Sequence, residues 1–319
     1  MEGNIDIYCE FGFLERFCDA CPQASGIPHK NHKIWSDYLE LLCGHSDVIL
    51  TDIDKKEYSA HCNEESISGQ IFQLLLTSHA NGIGNLICLS NERENMETSE
   101  QDGNGVEYFN SKEQHIFLMN RTKEECKKME NDYGLLFVSM DNFYEYNLFS
   151  PDIQEINEDS KLWECVKYYK YPCNTIILAD SYIMNEEDDT IKNNLSSLFN
   201  SLLPPILNKM NFKVSIFTKE NDDATKNERK KRIIKECIQS LRPSYLIETH
   251  ITFERNPDHD RYLLTNYGLF NCGYGFVLTD TKRRKGTSLS FFPITYFSSS
   301  SKKNNVYKIV QNLRTRKNI

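Results

Sequence analysis

Glycine and proline are scarce, 14 and 9 in 319 residues, which excludes collagen-like and proline-rich linker chains. No apolar run approaches the roughly 18 residues that a membrane-spanning helix needs. The opening residues, Met1-Glu2-Gly3-Asn4-Ile5-Asp6, have no basic region ahead of an apolar stretch, so a standard secretory signal is not expected. P-loop, GxGxxG, serine-hydrolase and kinase signatures are all missing. What is present suits a folded chain. Charged residues make up 26 % and hydrophobic residues 39 %, enough for real cores without the excess charge of a disordered protein. The eleven cysteines are odd in number and scattered. Without a secretory signal they read as reduced thiols in a cytoplasmic protein, most of them small core residues.

The net charge of −9 conceals two unlike halves. Residues 1–150 contain 11 Lys+Arg against 26 Asp+Glu, whereas 151–319 contain 26 against 20. Residues 226–319 alone carry 19 basic and 7 acidic side chains. Opposite signs predict two domains, an acidic one over 1–150 and a basic one over 151–319. The halves either attract one another, or the basic one faces a polyanion such as nucleic acid or anionic lipid.

Hydrophobic periodicity predicts alternating elements. Strands are expected at 5–11, 84–90, 115–119 and 134–140 and a short strand or loop at 47–50, with helices at 35–43, 68–78 and 123–131 between them. The polar segment 145–162 around Pro151 is the expected boundary. Beyond it strands are expected at 174–180, 212–218, 247–255, 261–265 and 269–276, with helices at 191–203 and 227–241. The fold class is therefore α/β over two domains, with a largely parallel sheet in the first.

The most specific motif is His259-Asp260-Arg261-Tyr262-Leu263-Leu264-Thr265-Asn266, followed by Gly273-Tyr274-Gly275-Phe276. It resembles the phospholipase D superfamily motif HxKx4Dx6GSxN, with His259, Arg261, Asn266 and Gly273 in register. The likeness is to the phospholipase-D-like domain at the C-terminus of MIT-domain proteins, over residues 160–297, and it implies a mixed sheet in the second domain. It implies a histidine nucleophile at phosphorus, a cation on the non-bridging oxygens and a carboxylate that orients the histidine. His259, Arg261 and Asn266 occupy those positions, and Asp180 ends a strand of the same domain. Three departures stand out. Arg261 replaces lysine, though it still suits phosphate. Asn266 replaces aspartate, and Gly-Tyr-Gly-Phe replaces Gly-Ser-x-Asn. The motif occurs once, so a second histidine would come from a homodimer or from His250. In the MIT-type relatives the domain is linked to anionic-lipid binding rather than hydrolysis.

Residues 1–150 are similar to a PIN-type nuclease domain, in which carboxylates at strand ends hold Mg²⁺ or Mn²⁺ and activate water against a phosphodiester. Asp6, Glu10, Glu40 and Asp141 are the metal-ligand candidates, with Asp47 beside them. Solvated surface carboxylates are the alternative in so acidic a segment. Separately, Cys18-x2-Cys21 and His29-x2-His32 have zinc half-site spacing, with free thiols and surface histidines as the other reading. Lys230, Lys231, Arg283 and Arg284 lie in two basic runs that either contact phosphate near Arg261 or face solvent.

Together these readings describe a protein that binds and cleaves nucleic acid. The paired nuclease-like resemblances imply a component of a bacterial restriction or anti-phage system, working with a partner protein or as a homodimer. The alternative is a non-catalytic module that binds nucleic acid or an anionic membrane surface through a phosphate pocket.

Overall fold

The computed structural model describes residues 5–22, 29–44, 46–80, 85–89, 115–146, 148–156, 163, 166, 169, 171–254, 261–273, 275, 276, 287–298 and 305–317. The fold is α/β, with eight helices and two sheets among these residues. The chain divides into two compact units. The first comprises residues 1–130, 135–149 and 294–307, and the second 131–134, 150–293 and 308–319.

The first unit is built on β1 (Ile5–Cys9), β2 (Ser46–Leu50), β3 (Leu86–Cys88), β4 (His115–Leu118) and β5 (Leu136–Val138). All four pairings are parallel, in the order β3-β2-β1-β4-β5. β4 and β5 read as unbroken apolar runs because a parallel sheet covered on both faces has no solvent side. In register across three strands, Tyr8 stacks on Phe117 at 5.3 Å and Phe117 on Phe137 at 4.7 Å. The helices are α1 (Phe11–Asp19), α2 (His29–Gly44), α3 (Lys55–His61), α4 (Ile67–Ala80) and α5 (Lys123–Tyr133). Phe17 of α1 stacks on Trp35 of α2 at 5.0 Å, and the Trp35 indole N–H donates to the Phe17 carbonyl. α3 had no counterpart in the sequence reading. Its signal is a cap: the Asp54 side chain accepts from the Glu57 N–H at 2.8 Å.

The second unit holds β6 (Asp152–Ile156), β7 (Thr175–Ala179), β8 (Phe212–Lys219), β9 (Ile247–Glu254), β10 (Tyr262–Thr265), β11 (Gly268–Cys272) and β12 (Thr287–Pro293). Their order is β6-β12-β11-β10-β7-β8-β9. β7, β8 and β9 are parallel, and the remaining pairings are antiparallel. α6 (Asp188–Leu202) and α7 (Ala224–Ser240) follow β7 and β8. α6 buries Ile191, Leu195, Leu198, Phe199 and Leu202, a stripe at helical spacing that ends before Pro204-Pro205. α7 is started by Asp223, whose carboxylate accepts from the Thr225 and Lys226 N–H groups. α8 (Val306–Lys317) closes the chain. The segment expected to be a polar boundary contains edge strand β6, and β12 was not foreseen.

Both sheets share one feature. The chain leaves β1 toward β2 on one side and later returns to β4 on the other. It leaves β7 toward β8 and returns to β10 in the same way. Ligands of open α/β sheets bind at such reversals, outside the carboxyl ends of the strands.

Candidate functional site

In the first unit a polar cluster gathers at the carboxyl end of β1 and β4. Glu10 follows β1 directly. Its backbone N–H donates to the Leu118 carbonyl, and its carboxylate accepts from the Asn120 N–H at 2.7 Å. Arg121 Nε lies 3.6 Å from the same carboxylate. The N–H of Phe11, first residue of α1, donates to Asp52 at 2.6 Å, which places a carboxylate on a helix N-terminus. Arg16 donates to the Asn120 side chain at 3.3 Å and lies 3.4 Å from Asp141. Gly12 makes this convergence fit, since a Cβ there would stand 2.3 Å from the Asn120 amide nitrogen. Burial pushes the Glu10 carboxyl up. The Asn120 hydrogen bond and Arg121 oppose that, and the negative charge of Asp52 adds to it.

The expected metal set is only partly assembled. Glu10 and Asp141 do share this end. Asp6 lies four residues back along β1, about 13 Å away, level with Asp47 on β2. Glu40 is an exposed residue of α2. Among the described residues no group of three or more His, Cys, Asp or Glu side chains is placed to hold a metal ion. Arg16 and Arg121 supply counter-charge to Asp141 and Glu10 respectively.

The zinc half-sites are described only in part. Cys18 and Cys21 are buried, Cys18 within α1 and Cys21 just after it. His32 is exposed on α2. The His29 side chain lies outside the described residues.

The second cluster stands at the reversal between β7 and β10. β10 runs antiparallel to β7 with Tyr262 level with Ala179, so Arg261 comes opposite Asp180. Asp180 is buried, and its two oxygens accept from the Phe276 N–H at 2.7 Å and the Tyr182 N–H at 3.0 Å. Burial raises its pKa, and the two N–H bonds and Arg261 oppose the shift. Arg261 Nε lies 3.9 Å from Asp180 and has no hydrogen-bond partner, whereas Nη1 donates to the Gly273 carbonyl at 2.7 Å. The guanidinium carbon sits 4.8 Å over the Tyr182 ring. Gly275 has φ +91°, and a Cβ there would lie 2.7 Å from both Arg261 Cδ and Asp180 Oδ2. Phe276 is anchored by stacking on Trp163 at 5.5 Å, and its carbonyl accepts from the Asn194 side chain.

Other expected members fall elsewhere. Asn266 is at the opposite end of β10 from Arg261, about 16 Å along the chain. Its side-chain oxygen accepts from the Asn174 and Thr175 N–H groups, and its amide donates to Asn174 Oδ1. It ties strands together and does not join Arg261. Lys230 is buried, its ammonium donating to the Met184 and Glu186 carbonyls at 2.6 and 2.5 Å, so it is not a phosphate contact. Burial lowers its pKa. Lys231 pairs with Glu228 at 2.9 Å and sits over the Phe253 ring. His250 lies on edge strand β9, three strands from β10 and about 14 Å across the sheet. His259, Arg283 and Arg284 lie outside the described residues.

Sequence reasoning missed Asp52, Asn120, Arg121 and Tyr182. For Asp52 and Asn120 the usable signal was position, since each follows closely on a buried parallel strand. No protein-family model matches this chain, and a search of curated proteins finds no relative.

Proposed function

We propose that this chain is a nucleic-acid-binding protein whose second unit recognises phosphate at Arg261. One observation carries the reading: a guanidinium stands at the strand reversal with its carbon 4.8 Å over an exposed tyrosine ring, its Nη1 on the Gly273 carbonyl and its buried Nε facing Asp180 at 3.9 Å. A fixed, stacked guanidinium is well suited to phosphate. The excess of basic residues over 151–319 supplies the field that draws a polyanion.

Recognition has more support than hydrolysis. Asn266, at the motif position of the orienting carboxylate, is consumed inside the fold. The cleaving reading, with its role in restriction or anti-phage defence, retains two observations. His259 stands two positions before Arg261 in the chain, and the Glu10–Asp52 cluster occupies the reversal of the first unit.

The deciding experiment incubates the full chain with single- and double-stranded DNA and RNA, in Mg²⁺ or Mn²⁺ and separately in EDTA. Binding that weakens steeply with salt, without turnover, is the expected result. Cleavage surviving EDTA would assign chemistry to His259. Cleavage abolished by EDTA would assign it to the carboxylates of the first unit. Failure to bind any nucleic acid would overturn the proposal, and binding to anionic vesicles instead would identify a lipid surface as the ligand.

A further inference from the structure

Resting on the recognition reading, we infer that the Arg261 site selects single-stranded nucleic acid, with Tyr182 as the platform on which an unpaired base stacks. Tyr182 has 40 % of its surface in solvent, whereas Asp180 beside it is buried. Arg261 covers one face of the ring at 4.8 Å. The backbone that carries the ring is held in place. The Tyr182 N–H donates to Asp180 and its carbonyl accepts from the Asn185 N–H, both at 3.0 Å, so the Asp180–Asn185 turn fixes where the tyrosine emerges.

An aromatic ring presented by a fixed backbone loses little freedom when a ligand covers it. The nearby charge completes the recognition. A base and the phosphate of its own nucleotide are neighbours, as are the Tyr182 ring and the Arg261 guanidinium. A duplex cannot use this pair, because its base faces are already stacked and it offers only groove edges and phosphates. Single strands expose their base faces, and proteins read them by stacking beside cationic groups. The same ring–cation chemistry serves single-stranded DNA and RNA, so the test includes both.

The test is fluorescence anisotropy on the full chain, with labelled single-stranded DNA, single-stranded RNA and duplexes of matched length, at one salt concentration. The variants are Tyr182→Ala, Tyr182→Leu and Tyr182→Phe, with melting temperatures to show that each is folded. Single strands should bind at least about tenfold tighter than duplex, and Tyr182→Ala and Tyr182→Leu should each lose about tenfold of that affinity while Tyr182→Phe keeps it. Duplex binding should not change. The inference fails, and recognition survives, if duplex binds as tightly as single strands or if Tyr182→Leu binds single strands like the wild type. If neither form binds, the recognition reading falls and takes the inference with it. The DNA and RNA arms show which source the site prefers.

Discussion

Asp180 accepts a hydrogen bond from the Phe276 N–H at 2.7 Å, and in the other unit Glu10 accepts one from the Asn120 N–H at the same distance. Each carboxylate directly follows the strand at which its sheet reverses. Each binds backbone that comes back on the far side of the reversal. A carboxylate suits that place, because two strands diverging there leave N–H groups without sheet partners and an acidic oxygen satisfies them.

The first prediction concerns Asp180. Alanine there would leave the Phe276 and Tyr182 N–H groups without their acceptor in a buried place. Asp180→Ala should lower unfolding stability by about 2–4 kcal/mol. Asp180→Asn keeps one acceptor and should cost less. Urea denaturation midpoints measure both, and equal midpoints for wild type and the alanine variant would refute the role.

A second prediction follows from the raised pKa of Glu10. A carboxyl whose folded pKa exceeds its unfolded value favours the fold when protonated. Its contribution is fully present below the unfolded value of 4.5 and is lost as pH rises through the folded value. Glu10→Gln removes this dependence and keeps an acceptor for the Asn120 N–H. The variant should therefore gain stability relative to wild type as pH rises from 4.5 to 8. Melting temperatures across that range test it, and a constant difference would show that Glu10 is not shifted.

Asn266 supplies a third. The phospholipase D resemblance assigns it to a reactive site, whereas the structure gives it three buried hydrogen bonds with Asn174 and Thr175. Asn266→Ala should cost about 2–4 kcal/mol of stability. At temperatures where the variant stays folded, nucleic-acid affinity should equal that of the wild type. A folded Asn266→Ala protein with binding reduced tenfold would return the residue to the site.

These cases show what the sequence could reveal. The strands of the parallel sheet were legible because burial on both faces leaves plain apolar runs such as Leu135-Leu136-Phe137-Val138. β6 was not, because an edge strand reading Asp-Ile-Gln-Glu-Ile has a polar composition. In Thr287–Pro293 alternate residues are buried, a pattern that the neighbouring basic run and serines obscured. Arg261 and Asp180 could be named as candidates, but their pairing depends on β10 returning beside β7. Lys230 misled because a basic run on an amphipathic helix shows its charge and hides its orientation. Arg229 and Arg232 face outward, while Lys230 turns in to bind the Met184 and Glu186 carbonyls. Lys230→Met should thus destabilise by about 1–3 kcal/mol and leave the salt dependence of nucleic-acid binding unchanged.

Gly275 gives the last prediction, which joins the fold to the site. At φ +91° an L side chain is strained wherever it sits, and here the added carbon would also press on Arg261 Cδ and Asp180 Oδ2 at 2.7 Å. Neither neighbour can retreat freely. Asp180 is held by two N–H groups, and Arg261 is held by the Gly273 carbonyl and the Tyr182 ring. Gly275→Ala should therefore cost about 1–3 kcal/mol from the backbone alone. It should also push the guanidinium off the Tyr182 ring and weaken nucleic-acid binding even at temperatures where the variant is folded. Denaturation and anisotropy separate the two effects. Full stability would mean that the turn accepts a side chain. Lost stability with undiminished affinity would mean that the position of Arg261 does not govern binding.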